Sequence, residues 1–166
     1  MTHTAQYLLE VQEIARTLPE AQIESLVAEL KALRDRGGRL FLVGLGGSAA
    51  NCSHAVNDFR RLCGIEAFTP VDNSALLTAR ANDDGWDTIF MEELIPADVL
   101  FILSVGGGTE KVSLPITMAI VRAQETMCRI IGIVGRDGGV TKRNADICVV
   151  IPTVSPERVT PHTEAF

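Results

Sequence analysis

The sequence predicts an α/β fold: a three-layer αβα sandwich with a five-stranded parallel sheet, preceded by two N-terminal helices. Three observations predict it. Short apolar runs without polar alternation recur along the chain, as in strands covered on both faces. Helical stretches separate these runs through short connections, the order that builds parallel sheets with right-handed crossovers. Glycine-rich segments leave two of the runs where a strand turns into a helix. The 166 residues suit one domain spanning 1–166.

The elements follow in order. Residues 4–16 and 20–35 read as amphipathic helices. Leu8, Leu9, Val11, Gln12 and Ala15 form the stripe of the first, and Ile23, Leu26, Val27, Leu30 and Leu33 that of the second. Pro19 suits the first turn of the second helix, and Gly37-Gly38 ends it. Both helices, residues 1–36, are expected to pack on the core or on a partner subunit. Leu40 to Val43 is the first strand, followed by Gly44-Leu45-Gly46-Gly47-Ser48 and a helix from Ala49 to about Cys63. Ile65 to Phe68 is the second strand. Helices are expected over 73–81 and 86–94. Val99 to Leu103 is the third strand, leading into Ser104-Val105-Gly106-Gly107-Gly108-Thr109 and a helix from about Lys111 to Thr126. Arg129 to Val134 and Asp146 to Ile151 are the fourth and fifth strands. The segment from Pro152 ends in Thr-Glu-Ala-Phe, the opening of a helix that is cut short.

Composition narrows the function. Acidic residues outnumber basic ones 21 to 15, for a formal charge of -6, which argues against a nucleic-acid surface. Cys52, Cys63, Cys128 and Cys148 form no C-x-x-C pair, so zinc-ribbon and thioredoxin patterns are absent. Cys128 and Cys148 read as reduced core thiols. Met1 to Glu10 lacks the character of a signal peptide, and no apolar stretch approaches the ~20 residues of a membrane helix. A cytoplasmic protein without membrane contact is expected.

Ligands of open parallel sheets bind beyond the carboxyl ends of the strands. Both glycine-rich loops fall there. Gly46, Gly47, Gly106 and Gly107 let the backbone approach an anion, while Ser48, Ser104 and Thr109 add hydroxyls. The plainer reading is that these glycines make tight turns. Ala49 stands at the third glycine position of G-x-G-x-x-G, and no G-K-[ST] follows either loop, so a nucleotide cofactor is not expected. A phosphosugar suits the loops better. His54 and Asp58, four apart, share a helical face and can serve as acid and base or as metal ligands. Asn82-Asp83-Asp84-Gly85 reads as a turn, with Asn82 and Asp83 as further polar candidates, as is Asp137 beside Arg136. Arg60 and Arg61 suit a solvated face. His3 has no evident role. His162 and Glu164 either face each other or the solvent.

The run from Gly44 to Asn51, followed by His54, resembles the opening loop of sugar isomerase (SIS) domains. It is most similar to the phosphoheptose isomerase branch, with its pattern G-N-G-G-S-A-A-D-x-x-H-x-x-x-E. Leu77-Thr78-Ala79 through Asn82-Asp83 resembles that branch's L-T-A-x-x-N-D segment. Gly135-Arg136-Asp137-Gly138-Gly139, with Ala145-Asp146 and Ile151-Pro152 behind it, resembles its G-R-D-G-G run. The resemblance covers essentially the whole chain.

It implies a flavodoxin-like strand order, a homotetramer with active sites at subunit interfaces, and isomerisation of sedoheptulose 7-phosphate, often with zinc. By position it makes Asp58 the base and His54 a metal ligand. Ser48, Ser104 and Thr109 fall at phosphate-binding hydroxyls, with Asp83 and Asp137 near the sugar. Thr160 or Glu164 falls at a metal-ligating glutamine, and Glu164 joins His54 and Asp58 as the implied metal set. The departures are specific. Leu45 replaces an asparagine, the second loop lacks two hydroxyls of S-T-S-G-N-S, and Asp58 is one methylene shorter than the branch's glutamate. The branch's acid histidine has no clear counterpart. These departures keep two other expectations open: a phosphosugar-binding protein without turnover, of sensor or replication-initiator-binding type, and an isomerase of another phosphosugar.

Overall fold

The computed structural model describes residues 1–166. Five parallel strands form one sheet: β1 (Arg39–Val43), β2 (Glu66–Phe68), β3 (Val99–Ser104), β4 (Arg129–Val134) and β5 (Ile147–Val150). Their order is β2-β1-β3-β4-β5, the flavodoxin-like order expected. The helices are α1 (His3–Thr17), α2 (Glu20–Asp35), α3 (Gly47–Arg61), α4 (Ser74–Asp83), α5 (Leu114–Glu125), α6 (Gly139–Asn144) and α7 (Val159–Ala165). No helix is long and apolar enough to cross a membrane.

Alternation along each strand divides the core into two layers, because successive side chains point to opposite faces. Leu40, Leu42, Val99, Phe101 and Ile131 pack with Ile14 of α1, Leu26 and Leu33 of α2, and Cys52 and Val56 of α3. Phe41, Val43, Leu100, Ile102 and Ile130 pack with Ile116, Ala119, Ile120 and Ala123 of α5. The two leading helices therefore belong to the core of this chain.

Three local expectations need correction, and one helix stands where none was expected. The inner face of α1 carries Glu10 and Ile14, while Leu8 and Leu9 are half exposed, because Glu10 finds the Arg158 guanidinium and further hydrogen-bond partners inside. Residues 86–94 form one 3-10 turn, Trp86–Thr88, and no α-helix. Gly85 enters it at φ 101°, and beyond it Ile89, Phe90 and Leu94 turn inward to the second core layer. Third, α5 starts at Leu114, not Lys111. The Thr109 hydroxyl takes the amides of Lys111 and Val112, and Ser113 is left-handed at φ 60°. The added helix is α6, which periodicity did not announce. Six residues that open on Gly139, just after Gly138, carry too little pattern to be seen.

Candidate active site

Strand order reverses between β1 and β3, since the chain leaves β1 toward β2 on one side and continues from β3 toward β4 on the other. A crevice at the carboxyl ends of these two strands is the usual ligand site. A cavity of about 320 Å³ lies there. Its lining includes Ser48, Asn51 and His54 of α3, Leu42 and Ser104 of the strands, and Thr163 and Glu164 of α7.

The first loop shapes this cavity. Gly46 takes φ 62° and ψ -126°, a geometry open to glycine alone, and its carbonyl accepts from the amides of Ala49 and Ala50. The amides of Gly47 and Ser48 then open α3 without intrahelical partners, which is the arrangement that holds anions. Leu45 packs on the second core layer and does not line the cavity.

The second loop is committed elsewhere. Ser104 is buried and its hydroxyl accepts from the Gly107 amide at 3.0 Å. The Gly107 carbonyl accepts from both the amide and the hydroxyl of Thr141, and the Gly108 carbonyl accepts from the Val140 amide. A β-carbon on Gly107 would overlap the Gly138 carbonyl, and one on Gly139 would overlap the carbonyls of Gly106 and Gly108. These glycines let two loops pack backbone to backbone. Thr109 is exposed, caps its own turn and lies in a separate cleft with Glu110, Lys111 and Arg143. Of the second-loop candidates, Ser104 lines the cavity beside Ser48; Gly106, Gly107 and Thr109 do not.

His54 and Asp58 are brought together. His54 Nε2 stands 3.3 Å from Asp58 Oδ2, with the side chains 79% and 45% exposed. Asn57 Nδ2 donates to Asp58 Oδ1 at 3.3 Å. Glu164 is not part of this pair. Its carboxylate lies at Ser48, about 15 Å along α3 from Asp58 at the rise of a helix. No three His, Cys, Asp or Glu side chains of the chain converge as a metal set, so the implied set of His54, Asp58 and Glu164 is not assembled within it. Asn82 and Asp83 are exposed at the end of α4 and bond each other at 2.7 Å, away from the cavity. Asp137 is exposed and accepts from the Gly139 amide at 3.1 Å, shaping its own turn.

His162 faces neither Glu164 nor solvent. It is 2% exposed, stacks on Tyr7 at 4.7 Å between ring centroids, and its Nε2 lies 2.9 Å from Glu10 Oε2. Arg158 donates twice to the same carboxylate, at 2.8 and 2.5 Å, and Gln6 once. Arg158, His162 and Gln6 together hold the Glu10 carboxyl far below the usual carboxylate range. This network ties α7 to α1. An inward carboxylate on α1, four residues before Ile14, was the signal that pattern reading passed over. Burial also pushes the thiols of Cys52 and Cys128 up to about 12 and that of Cys148 to about 11, which leaves them inert at neutral pH.

Residues 6–135 match the family model of the SIS domain. The chain belongs to the SIS domain family. A phosphoheptose isomerase of Pelobacter propionicus is 32% identical over 152 residues, 85% of this chain and 77% of that protein. One of Geobacter sulfurreducens is 34% identical over 144 residues, 80% of this chain and 73% of that protein. Among solved structures, phosphoheptose isomerase of Neisseria gonorrhoeae superposes with a TM-score of 0.80 at 24% identity, covering 98% of this chain and 89% of that one. The SIS fold expected from the glycine loops is thereby shown.

Proposed function

We propose that this SIS protein is a phosphosugar isomerase and that its substrate is sedoheptulose 7-phosphate. One observation carries the reading: the His54–Asp58 pair stands on the helix whose first turn opens the cavity at the switch point. The phosphoheptose isomerases at 32 and 34% identity support it.

Ketose-to-aldose conversion needs a base at C1 and an acid at the C2 oxygen. In this reading the amides of Gly47 and Ser48, with the Ser48 hydroxyl, anchor the phosphate. Asp58 removes a proton from C1 while the C2 carbonyl oxygen gains one, giving an enediol. Loss of the O1 proton and return of a proton to C2 complete the aldehyde. His54 is the basic side chain in contact with Asp58 and in this reading serves as the acid. His162 cannot, since Glu10 and Tyr7 enclose it. Zinc at His54 and Asp58 would find two donors in this chain, where catalytic zinc sites use three protein ligands.

The exposure of the pair supports a site completed by a second copy. Leu8 and Leu9 of α1 and Val27 of α2 leave apolar surface for such assembly. A homotetramer acting in the cytoplasm is the form proposed. The same exposure, with a second loop bonded internally, favours a second reading: phosphosugar binding without turnover.

Incubation with sedoheptulose 7-phosphate in deuterated water, followed by proton NMR, decides between them. Turnover is expected to place deuterium at C2 of an aldoheptose phosphate. Asp58→Asn is expected to lower kcat by about 10²-fold or more with the fold intact. Binding with no exchange in the wild type would favour the second reading.

A further inference from the structure

The cavity at the switch point holds a negative group of its own. Glu164 reaches from α7 across the first turn of α3. A β-carbon at Gly47 would stand 2.5 Å from both of its carboxylate oxygens, so the glycine is what admits the carboxylate. Ser48 Oγ donates to Glu164 Oε1 at 3.4 Å, and Asn51 Nδ2 donates to the Glu164 backbone carbonyl at 3.1 Å, holding α7 in place. The partial positive charge that opens a helix attracts a carboxylate as it attracts a phosphate. No lysine or arginine lines the cavity, and His54 is its one basic side chain. The charge at this turn is therefore set largely by Glu164.

We propose that Glu164 is a specificity-determining residue whose carboxylate competes with the substrate's phosphate for Ser48 and the first turn of α3. The phosphate docks only when the Glu164 side chain swings aside. This inference rests on reading the cavity as a phosphosugar site. Ser48 has one hydroxyl proton and cannot donate it to two acceptors at once. Two anions at one helix turn also repel, more strongly in a partly enclosed cavity than in water. Glu164 then acts against anion binding, whereas the metal-ligand role implied by resemblance would make it an aid.

Sulfate, a dianion at neutral pH, is the probe. It is titrated into the full chain, freed of metal by chelation, and followed on the amide NMR signals of Gly47 and Ser48. Glu164→Gln is expected to bind sulfate about ten-fold more tightly than the wild type. Glu164→Asp keeps the charge but withdraws it by one methylene, and is expected to fall between the two. Thermal melting establishes that the variants fold, and Glu164→Asp carries the test if Glu164→Gln does not. Equal affinity in wild type and variants overturns the proposal. So does weaker binding in the variants, or silence of both amides in every protein. Turnover of sedoheptulose 7-phosphate by the wild type is measured separately. A chain that turns over but shows no sulfate gain loses this inference alone. A chain that shows the gain without turnover loses only the isomerase reading.

Discussion

Glu10 shows how one residue joins distant parts of the chain. Its carboxylate lies 152 positions from the His162 ring that it contacts, and it binds Arg158 as well. Because Arg158, His162 and Gln6 hold its carboxyl below the usual range, ionised Glu10 stabilises the folded state above the unfolded pKa of about 4.3. That contribution is lost as pH falls from there toward the lower folded value. Melting curves across pH 6 to 3 are expected to show it: Glu10→Gln has a lower Tm at pH 6, and the gap to the wild type narrows as the pH drops. His54 and Asp58 were legible from sequence because a spacing of four fixes their shared face whatever surrounds the helix. Glu164 and His162 were visible as candidates, but where their side chains would sit was not legible. Both sit on a seven-residue helix whose neighbours are chosen by the docking of α7 on α1 and α3.

At the scale of elements, the two later glycine loops act as one unit. Gly107 and Gly37 have nearly equal positive φ, 66° and 67°, but different surroundings. A β-carbon at Gly37 meets nothing within 4 Å, whereas one at Gly107 meets the Gly138 backbone. Gly37→Ala is therefore expected to cost about 1–2 kcal/mol from backbone strain alone. Gly107→Ala adds a clash that neither backbone can relieve, and about 3–4 kcal/mol is expected in total. Urea denaturation of the two variants measures the difference, and equal costs would refute the loop-to-loop packing. The glycines were visible in the sequence, but their use was not. A glycine that admits a phosphate and one that admits a carbonyl look the same until the facing chain is in place.

For the whole molecule, the sheet order puts the reversal between β1 and β3, and with it the cavity, the opening of α3 and the His54–Asp58 pair. The pair stands open to solvent in the single chain, although water exclusion strengthens the electrostatics of proton transfer. The proposed tetramer would close it. Light scattering on the purified protein is expected to give four times the mass of one chain, and dilution to monomer is expected to abolish turnover. A monomeric mass with full turnover would show that one chain closes its own site.

The sequence by itself determined the strands, most of the helices, the layered parallel sheet and the pairing of His54 with Asp58, and its motifs carried the resemblance to the SIS family. These depend on local periodicity, on glycines at strand ends and on spacing within one helix, all of which are short-range. Only the tertiary structure decided that the second loop bonds to the third, that Glu10 clamps α7, and that Glu164 enters the first turn of α3. Each of those contacts joins residues far apart in the chain, and which groups meet there depends on how whole elements dock.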